Sequence, residues 1–208
     1  LSTDKKIKYV FEFRNKGKEI GVSLHHPHSQ LYALPFVPPL IETELKSSRE
    51  YMEKEGSCLF CGILKEEKTD GRRVIFENRE TICFLPFYAK WPYETHIYPK
   101  RHVQCLSDLA EKERVDLATT LKQIITTYNN LFGFSLPYIM VVHQRPTDGN
   151  YGHYHMHIEF YPPHRSKDKL KFTAGIERGA GTSTMDYEPE EKASELRNVY
   201  KRLFKPSK

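Results

Sequence analysis

Apolar and polar positions divide the chain into short alternating runs and a few longer periodic ones. Residues 8–14 (Lys-Tyr-Val-Phe-Glu-Phe-Arg) read as a strand, and Asn15-Lys16-Gly17-Lys18 reads as the turn that ends it. Residues 21–28 look like a loop leading into a second strand, 29–36, which the prolines at 35, 38 and 39 close. Residues 40–55 set charged side chains between apolar ones at helical spacing. The runs 73–78, 81–87 and 93–99, rich in Ile, Phe, Tyr and Thr, read as three strands. Ser107 and Asp108 suit a capping turn ahead of 111–132, where Val115, Leu117, Leu121, Ile124, Ile125 and Leu131 recur as on a helix face. Two further strands are expected at 137–143 and 153–161, a mobile basic and Gly-rich loop at 164–186, and a final amphipathic helix at 188–203. The order predicts an α+β fold: an antiparallel sheet with the 111–132 helix and the C-terminal helix packed on one face.

Composition narrows the class. A chain of 208 residues makes one large domain or two small ones. With 38% hydrophobic and 28% charged residues it is rich enough in apolar side chains to build a core. No apolar run approaches the ~18 residues of a membrane span. The net charge of +5 suits an anionic small molecule as well as nucleic acid. Four cysteines are few for a disulfide scaffold, and no secretory h-region opens the chain, so the expected compartment is the reducing cytoplasm. There Cys58-x-x-Cys61 implies metal or redox chemistry. A redox pair would open a helix after a strand; no strand precedes Gly56-Ser57-Cys58, which favours metal. The chain starts at Leu1 rather than Met, and an upstream piece is expected.

Alternation along a strand would put His153, His155 and His157 on one face. With Cys58, Cys61 and His102 they form an inventory for a tetrahedral Cys₂His₂ zinc site, for which Cys58, Cys61, His102 and His153 are the candidate ligands. Four protein ligands would close such a site and make it structural. A second array, His26-Pro27-His28-Ser29-Gln30, follows Gly21 and Ser23. Gly lets the backbone approach a ligand, and Ser donates to phosphate. A neutral imidazole among such donors can attack phosphorus and hold it covalently. The two arrays form a weak internal repeat, each followed by a Pro-Pro pair, at 38–39 and 162–163.

These segments carry a resemblance. Phe13-Arg14-Asn15-Lys16-Gly17, Gly21-x-Ser23-x-x-His26-Pro27-His28-x-Gln30 and Pro38-Pro39 resemble the active-site segment of the galactose-1-phosphate uridylyltransferase family, part of the histidine-triad superfamily. The likeness continues through residues 86–95, Pro99-Lys100-Arg101-His102, Phe160-Tyr161-Pro162-Pro163, Lys171-Phe172 and Gly175-Ile176-Glu177, nearly the whole chain. It implies a histidine-triad-like sheet in two parts: the end of a first half at 1–44, carrying the His-Pro-His-x-Gln segment, and a complete second half at 45–208.

It further implies that His28 accepts UMP from UDP-glucose and passes it to galactose 1-phosphate, in a ping-pong exchange. Gln30 would steady the transferred phosphoryl group. Asn15, Gly21 and Ser23 match nucleotide- and phosphate-contacting positions, and Phe13 a pocket position. Lys171, Phe172 and Glu177 match a hexose-contacting segment supplied across a dimer interface; Ile176 stands where some members have Tyr. The resemblance implies zinc on residues matching Cys58, Cys61, His102 and His153. His26 matches a ligand of a first-half zinc whose partners lie upstream. Some members hold iron or zinc on positions matching Glu44, His143, His157 and Glu159, although Glu159 here replaces a His. The implied partners are UDP-glucose, galactose 1-phosphate and a second copy of the chain, with neither nucleic acid nor membrane. Competing readings are a sugar-nucleotide phosphorylase or adenylyltransferase, a histidine-triad hydrolase with His155 as nucleophile, and a non-catalytic zinc-stabilised nucleotide-binding module.

Overall fold

In a computed structural model describing residues 4–23 and 26–205, the chain folds around a seven-stranded sheet. The strands are β1 (Tyr9–Lys16), β2 (Gln30–Leu34), β3 (Val74–Glu77), β4 (Thr81–Phe84), β5 (Thr95–Pro99), β6 (Tyr138–His143) and β7 (His157–Tyr161). Their order is β2-β1-β6-β7-β5-β4-β3, and every neighbouring pair is antiparallel. A small ribbon of β8 (His164–Ser166) and β9 (Lys169–Leu170) stands apart.

Helices cover both faces. α3 (Glu111–Leu131) and α5 (Pro189–Phe204) lie on one, as the sequence pattern implies; their Leu117, Ile124, Tyr128, Leu196 and Tyr200 pack on Ile97, Cys83, Met140, Ile158 and Phe160. α1 (Pro39–Glu55) and α2 (Leu59–Asp70) cover the other, where Ile41, Leu45, Phe60 and Leu64 meet Tyr9, Ile82, Phe84 and Tyr98. The period of two along each strand deals its side chains alternately to these cores. Pro39 opens α1 at a position where its missing N–H costs nothing, and Gly56 ends it at φ 69°, a left-handed turn that aims Cys58 into α2. Among the described residues no helix is long and apolar enough to cross a membrane.

The sequence pattern gives no sign of α2. Gly62 and two cysteines at its start dilute the periodic signal, and tertiary packing of Phe60 and Leu64 supplies what propensity lacks. The expected loop at 164–186 is structured in part: it holds the β8–β9 ribbon and a short helix, α4 (Gly175–Ala180), and is irregular at 171–174 and 181–186. The expected strand at 153–161 begins only at His157, and Val115, expected on the packed face of α3, is exposed.

One buried ion cluster ties the C-terminal helix to the rest. Arg73 grips Glu67 of α2 at 3.0 Å and Glu190 of α5 at 2.5 Å. Glu67 is 1% exposed, so removing its cation strands a buried carboxylate. Arg73→Met is expected to destabilise the fold by about 3 kcal/mol. Equilibrium urea unfolding checks this, and Glu67→Gln combined with Arg73→Met should recover part of the loss.

Candidate active site and metal centres

Backbone register aligns three of the expected site residues, Phe13, Gln30 and Glu159, on one sheet face. Gln30 lies opposite Phe13, Phe13 opposite Val141, Val141 opposite Glu159, and Glu159 opposite His96. This row crosses five strands on the side that α1 and α2 cover. At its β2 end the face is open: His28 is exposed, and Gln30 and Phe13 are half-buried, with Phe13 edge-on to Tyr32 at 5.0 Å. His28 Nδ1 donates to the carbonyl of His26 at 2.8 Å. Because a carbonyl only accepts, that contact selects the Nδ1–H tautomer of a neutral ring, in which Nε2 carries the lone pair.

Beside this segment a cavity of about 460 Å³ is lined by Arg14, Asn15, Lys16, Lys18, Glu19, His26 and Ser135, among others. Its basic side chains outnumber the one acid, as suits an anion. Gly17, also on its wall, has φ 100°, and a Cβ there would stand 2.6 Å from Pro137 Cβ. Gly17→Ala is therefore expected to cost about 2 kcal/mol from strain at positive φ, read as a lower urea midpoint. Gly21 at φ 81° ends a 3₁₀ turn ahead of exposed Ser23.

The C-x-x-C pair opens α2. Cys58 is its N-cap and Cys61 lies in its first turn, so a spacing of three puts both thiols on one side of the helix start. Cys61 Sγ is 3.3 Å from His102 Nδ1 and 3.5 Å from His155 Nδ1. The ligand atoms of Cys58, Cys61 and His102 all lie within 4.8 Å of one another. His153 reaches this group through its carbonyl, 3.3 Å from Cys58 Sγ; its imidazole stands outside the triad, with Nε2 buried and unpartnered. Hydrogen bonding between the thiols pulls Cys58 down to about 4, against burial, and pushes Cys61 up. Burial, then the neighbouring His102 and His157, hold His155 down at about 3, so it is neutral. The Nε2 atoms of His102, His153 and His155 are all buried without partners. A thiolate at Cys58 and two imidazole Nδ1 atoms facing Cys61 Sγ make a sulfur and nitrogen donor set that fits a zinc-like ion.

A second cluster gathers Glu44 of α1, His143 of β6, and His157 and Glu159 of β7, again with ligand atoms within 4.8 Å. His143 Nδ1 is 3.0 Å from Glu44 Oε1, and Tyr154 OH donates to Glu44 Oε2 at 2.7 Å. His157 Nδ1 donates to the His155 carbonyl at 3.0 Å, so a neutral His157 aims a bare Nε2 at Glu159 Oε1, 3.2 Å away. Two acceptors facing each other require a proton or a cation between them. Burial opposes charge on His143, yet Glu159 and Glu44 outweigh it and lift it to about 9. Burial likewise opposes the Glu159 carboxylate, which His96 and His143 nonetheless hold well below the usual range. This donor set, oxygen and nitrogen without sulfur, fits a divalent transition cation. His26 belongs to neither cluster.

Lys171 and Glu177 pair with each other at 3.0 Å. Lys171 also donates to the carbonyls of Thr184 and Lys90, while backbone N–H groups of Thr184 and Ala174 hold the Glu177 carboxyl down at about 2. Phe172 is 79% exposed. Among the described residues no hydrogen bond or ion pair joins Lys171, Phe172 or Glu177 to residues 26–30. Sequence reasoning also passes over Glu94 and His96, although an inward-facing His on a strand next to Glu159 is a usable signal.

A seven-stranded antiparallel sheet with helices on both faces, its ligand clusters fed from strand ends and helix starts, defines an α+β protein with buried metal-ligand groups. The family models described as galactose-1-phosphate uridyl transferase, C-terminal and N-terminal domain, match residues 44–205 and 1–38. The chain belongs to the galactose-1-phosphate uridylyltransferase family. It is 41% identical to that enzyme of Thermotoga maritima over 96% of this chain and 63% of the relative. A solved uridylyltransferase superposes with a TM-score of 0.91 at 47% identity, covering 96% of this chain and 64% of the other. An ADP-glucose phosphorylase from Arabidopsis thaliana, solved with bound ADP-glucose, gives 0.83 at 28% identity over 94% of this chain and 60% of the other. The chain thus spans less than two thirds of the length of these relatives.

Proposed function

We propose that the protein moves UMP between UDP-glucose and galactose 1-phosphate through a covalent uridylyl group on His28. The observation that carries this is the tautomer selection, Nδ1 on the His26 carbonyl at 2.8 Å, on an exposed imidazole next to a basic cavity. Nε2 attacks the α-phosphorus of UDP-glucose; a P–N bond forms, the bridging P–O bond breaks, and glucose 1-phosphate leaves with the electron pair. A phosphate oxygen of galactose 1-phosphate then attacks the same phosphorus, the P–N bond breaks, and UDP-galactose departs. Gln30 donates to the transferred phosphoryl oxygens; being neutral, it brings no base to activate water. Asn15, Gly21 and Ser23 contact the nucleotide and its phosphates, and Phe13 lines the pocket. His155 is a poorer nucleophile candidate than His28, because it is fully buried against Cys61 and His102.

Cys58, Cys61 and His102 hold a zinc ion, with the fourth position taken by the His153 or His155 imidazole; when bound, it cross-links α2 to the strand ends and serves structure. Glu44, His143, His157 and Glu159 hold a second divalent ion, and His26 serves a further metal site. Lys171, Phe172 and Glu177 face the hexose of a partner subunit in a homodimer. Residues 1–44 end one histidine-triad-like half and 45–208 make the next. All four cysteines are unbridged, as suits the cytoplasm.

The test supplies UDP-glucose and galactose 1-phosphate and measures UDP-galactose and glucose 1-phosphate. Exchange without net hydrolysis is expected. The likeness to the Arabidopsis ADP-glucose phosphorylase supports a second reading, in which phosphate is the acceptor and the base is adenine. Phosphorolysis of ADP-glucose without hexose exchange would favour that reading.

A further inference from the structure

The carboxylate of Glu159 is held by more than its own ligand cluster. His96, its cross-strand neighbour on β5, is 1% exposed and places Nε2 3.3 Å from Glu159 Oε1. The same nitrogen lies 2.9 Å from Glu94 Oε1. Glu94 is itself 3% exposed, and its other oxygen accepts the backbone N–H groups of Lys90 at 2.7 Å and Trp91 at 3.1 Å. A chain of contacts therefore runs from the backbone of Lys90 and Trp91 through Glu94 and His96 to Glu159. Tyr161 OH donates to the remaining Glu159 oxygen.

This row is an expensive thing to bury. Glu44, Glu94 and Glu159 stand among His96, His143 and His157, and none of the three carboxylates forms an ion pair with a lysine or arginine among the described residues. Buried charges persist where geometry gives each a partner or where they serve an ion. Glu159 also has a mechanical problem that an imidazole would not have. A carboxylate has no ring plane to aim it, so outer contacts must set which oxygen faces the same point as His143 and His157.

We propose that His96, anchored by Glu94, is a positioning residue that orients Glu159 in the Glu44–His143–His157–Glu159 centre for a divalent first-row transition cation. This rests on reading that cluster as a metal centre. His96 stands beyond the four-ligand group, so it acts through Glu159 rather than as a primary ligand. Outer contacts of this kind typically tune metal affinity about 10- to 100-fold.

The test uses the protein stripped of metal and titrated with Co²⁺ against a competing chelator. Cobalt at the thiol site gives sulfur-to-metal charge transfer in the near ultraviolet, while cobalt at the sulfur-free site gives only weaker visible bands. His96→Leu is expected to weaken the sulfur-free site by about 10- to 100-fold and change its visible bands, with the thiolate signal unchanged. His96→Gln keeps an N–H at similar reach and should recover most of the affinity; Glu94→Gln should fall between. Equal affinity and spectrum in His96→Leu and the parent would overturn the proposal. So would equal losses in His96→Leu and His96→Gln, which would mark a packing role. His143→Gln separates the two levels: if it leaves the sulfur-free cobalt unchanged, the metal centre itself is misassigned and the role of His96 falls with it.

Discussion

Replacing His28 with asparagine is expected to abolish UMP transfer, by roughly 10⁴-fold or more, while leaving the fold intact. The size of the effect follows from the chemistry. A nucleophile that carries the transferred group has no substitute in the same pocket, and an amide nitrogen lacks the lone pair that attacks phosphorus. The small structural cost follows from position. His28 is exposed, and its side chain makes a local hydrogen bond to the His26 carbonyl, which an asparagine amide can imitate. His155→Asn should show the opposite profile. That ring is fully buried beside Cys61 and His102, so its loss should lower metal content and the melting temperature. Steady-state exchange, binding of UDP-glucose by calorimetry and thermal melting on the same preparations separate the two. A His28→Asn protein with substantial exchange would refute the assignment.

Cys61→Ser is expected to produce the largest loss of stability. Cys58 and Cys61 start α2, His102 follows β5, and residues 153–155 precede β7, so an ion held by these groups joins three separate parts of the chain. Binding to the folded state alone adds about 4 kcal/mol when free metal exceeds Kd roughly a thousandfold. Serine cannot replace a thiolate as a soft ligand. Metal analysis should find about one zinc fewer per chain in Cys61→Ser, and a strong chelator should lower the melting temperature of the parent toward that of the variant. His26→Ala should keep this zinc, because His26 lies outside the cluster. Unchanged zinc content and melting in Cys61→Ser would contradict a metal at this place.

Elements with a strong period are legible in the amino-acid sequence alone. β1, α1, α3 and α5 fall within a few residues of where the apolar pattern puts them, since each buries one regular face. α2 is not legible, because its short apolar face carries Gly62 and two cysteines whose partners lie about 40 and 90 residues away in sequence. The alternating histidines look like one strand face, but residues 153–156 precede the strand. That irregular backbone lets His155 turn to the thiols while His157 serves the carboxylates. The same distance problem hides His96 and Glu94, whose meaning depends on the β5–β7 register. By contrast, the His26–Gln30 segment stands out in the amino-acid sequence because its polar residues lie within five positions of one another.

Mass spectrometry of peptides after the protein reacts with UDP-glucose alone decides whether His28 carries UMP. The expected result is one UMP, stable to alkali and released by acid as a phosphoramidate is, on the peptide containing His28. UMP on the peptide containing His155, or hexose exchange with no adduct on any histidine, would contradict it.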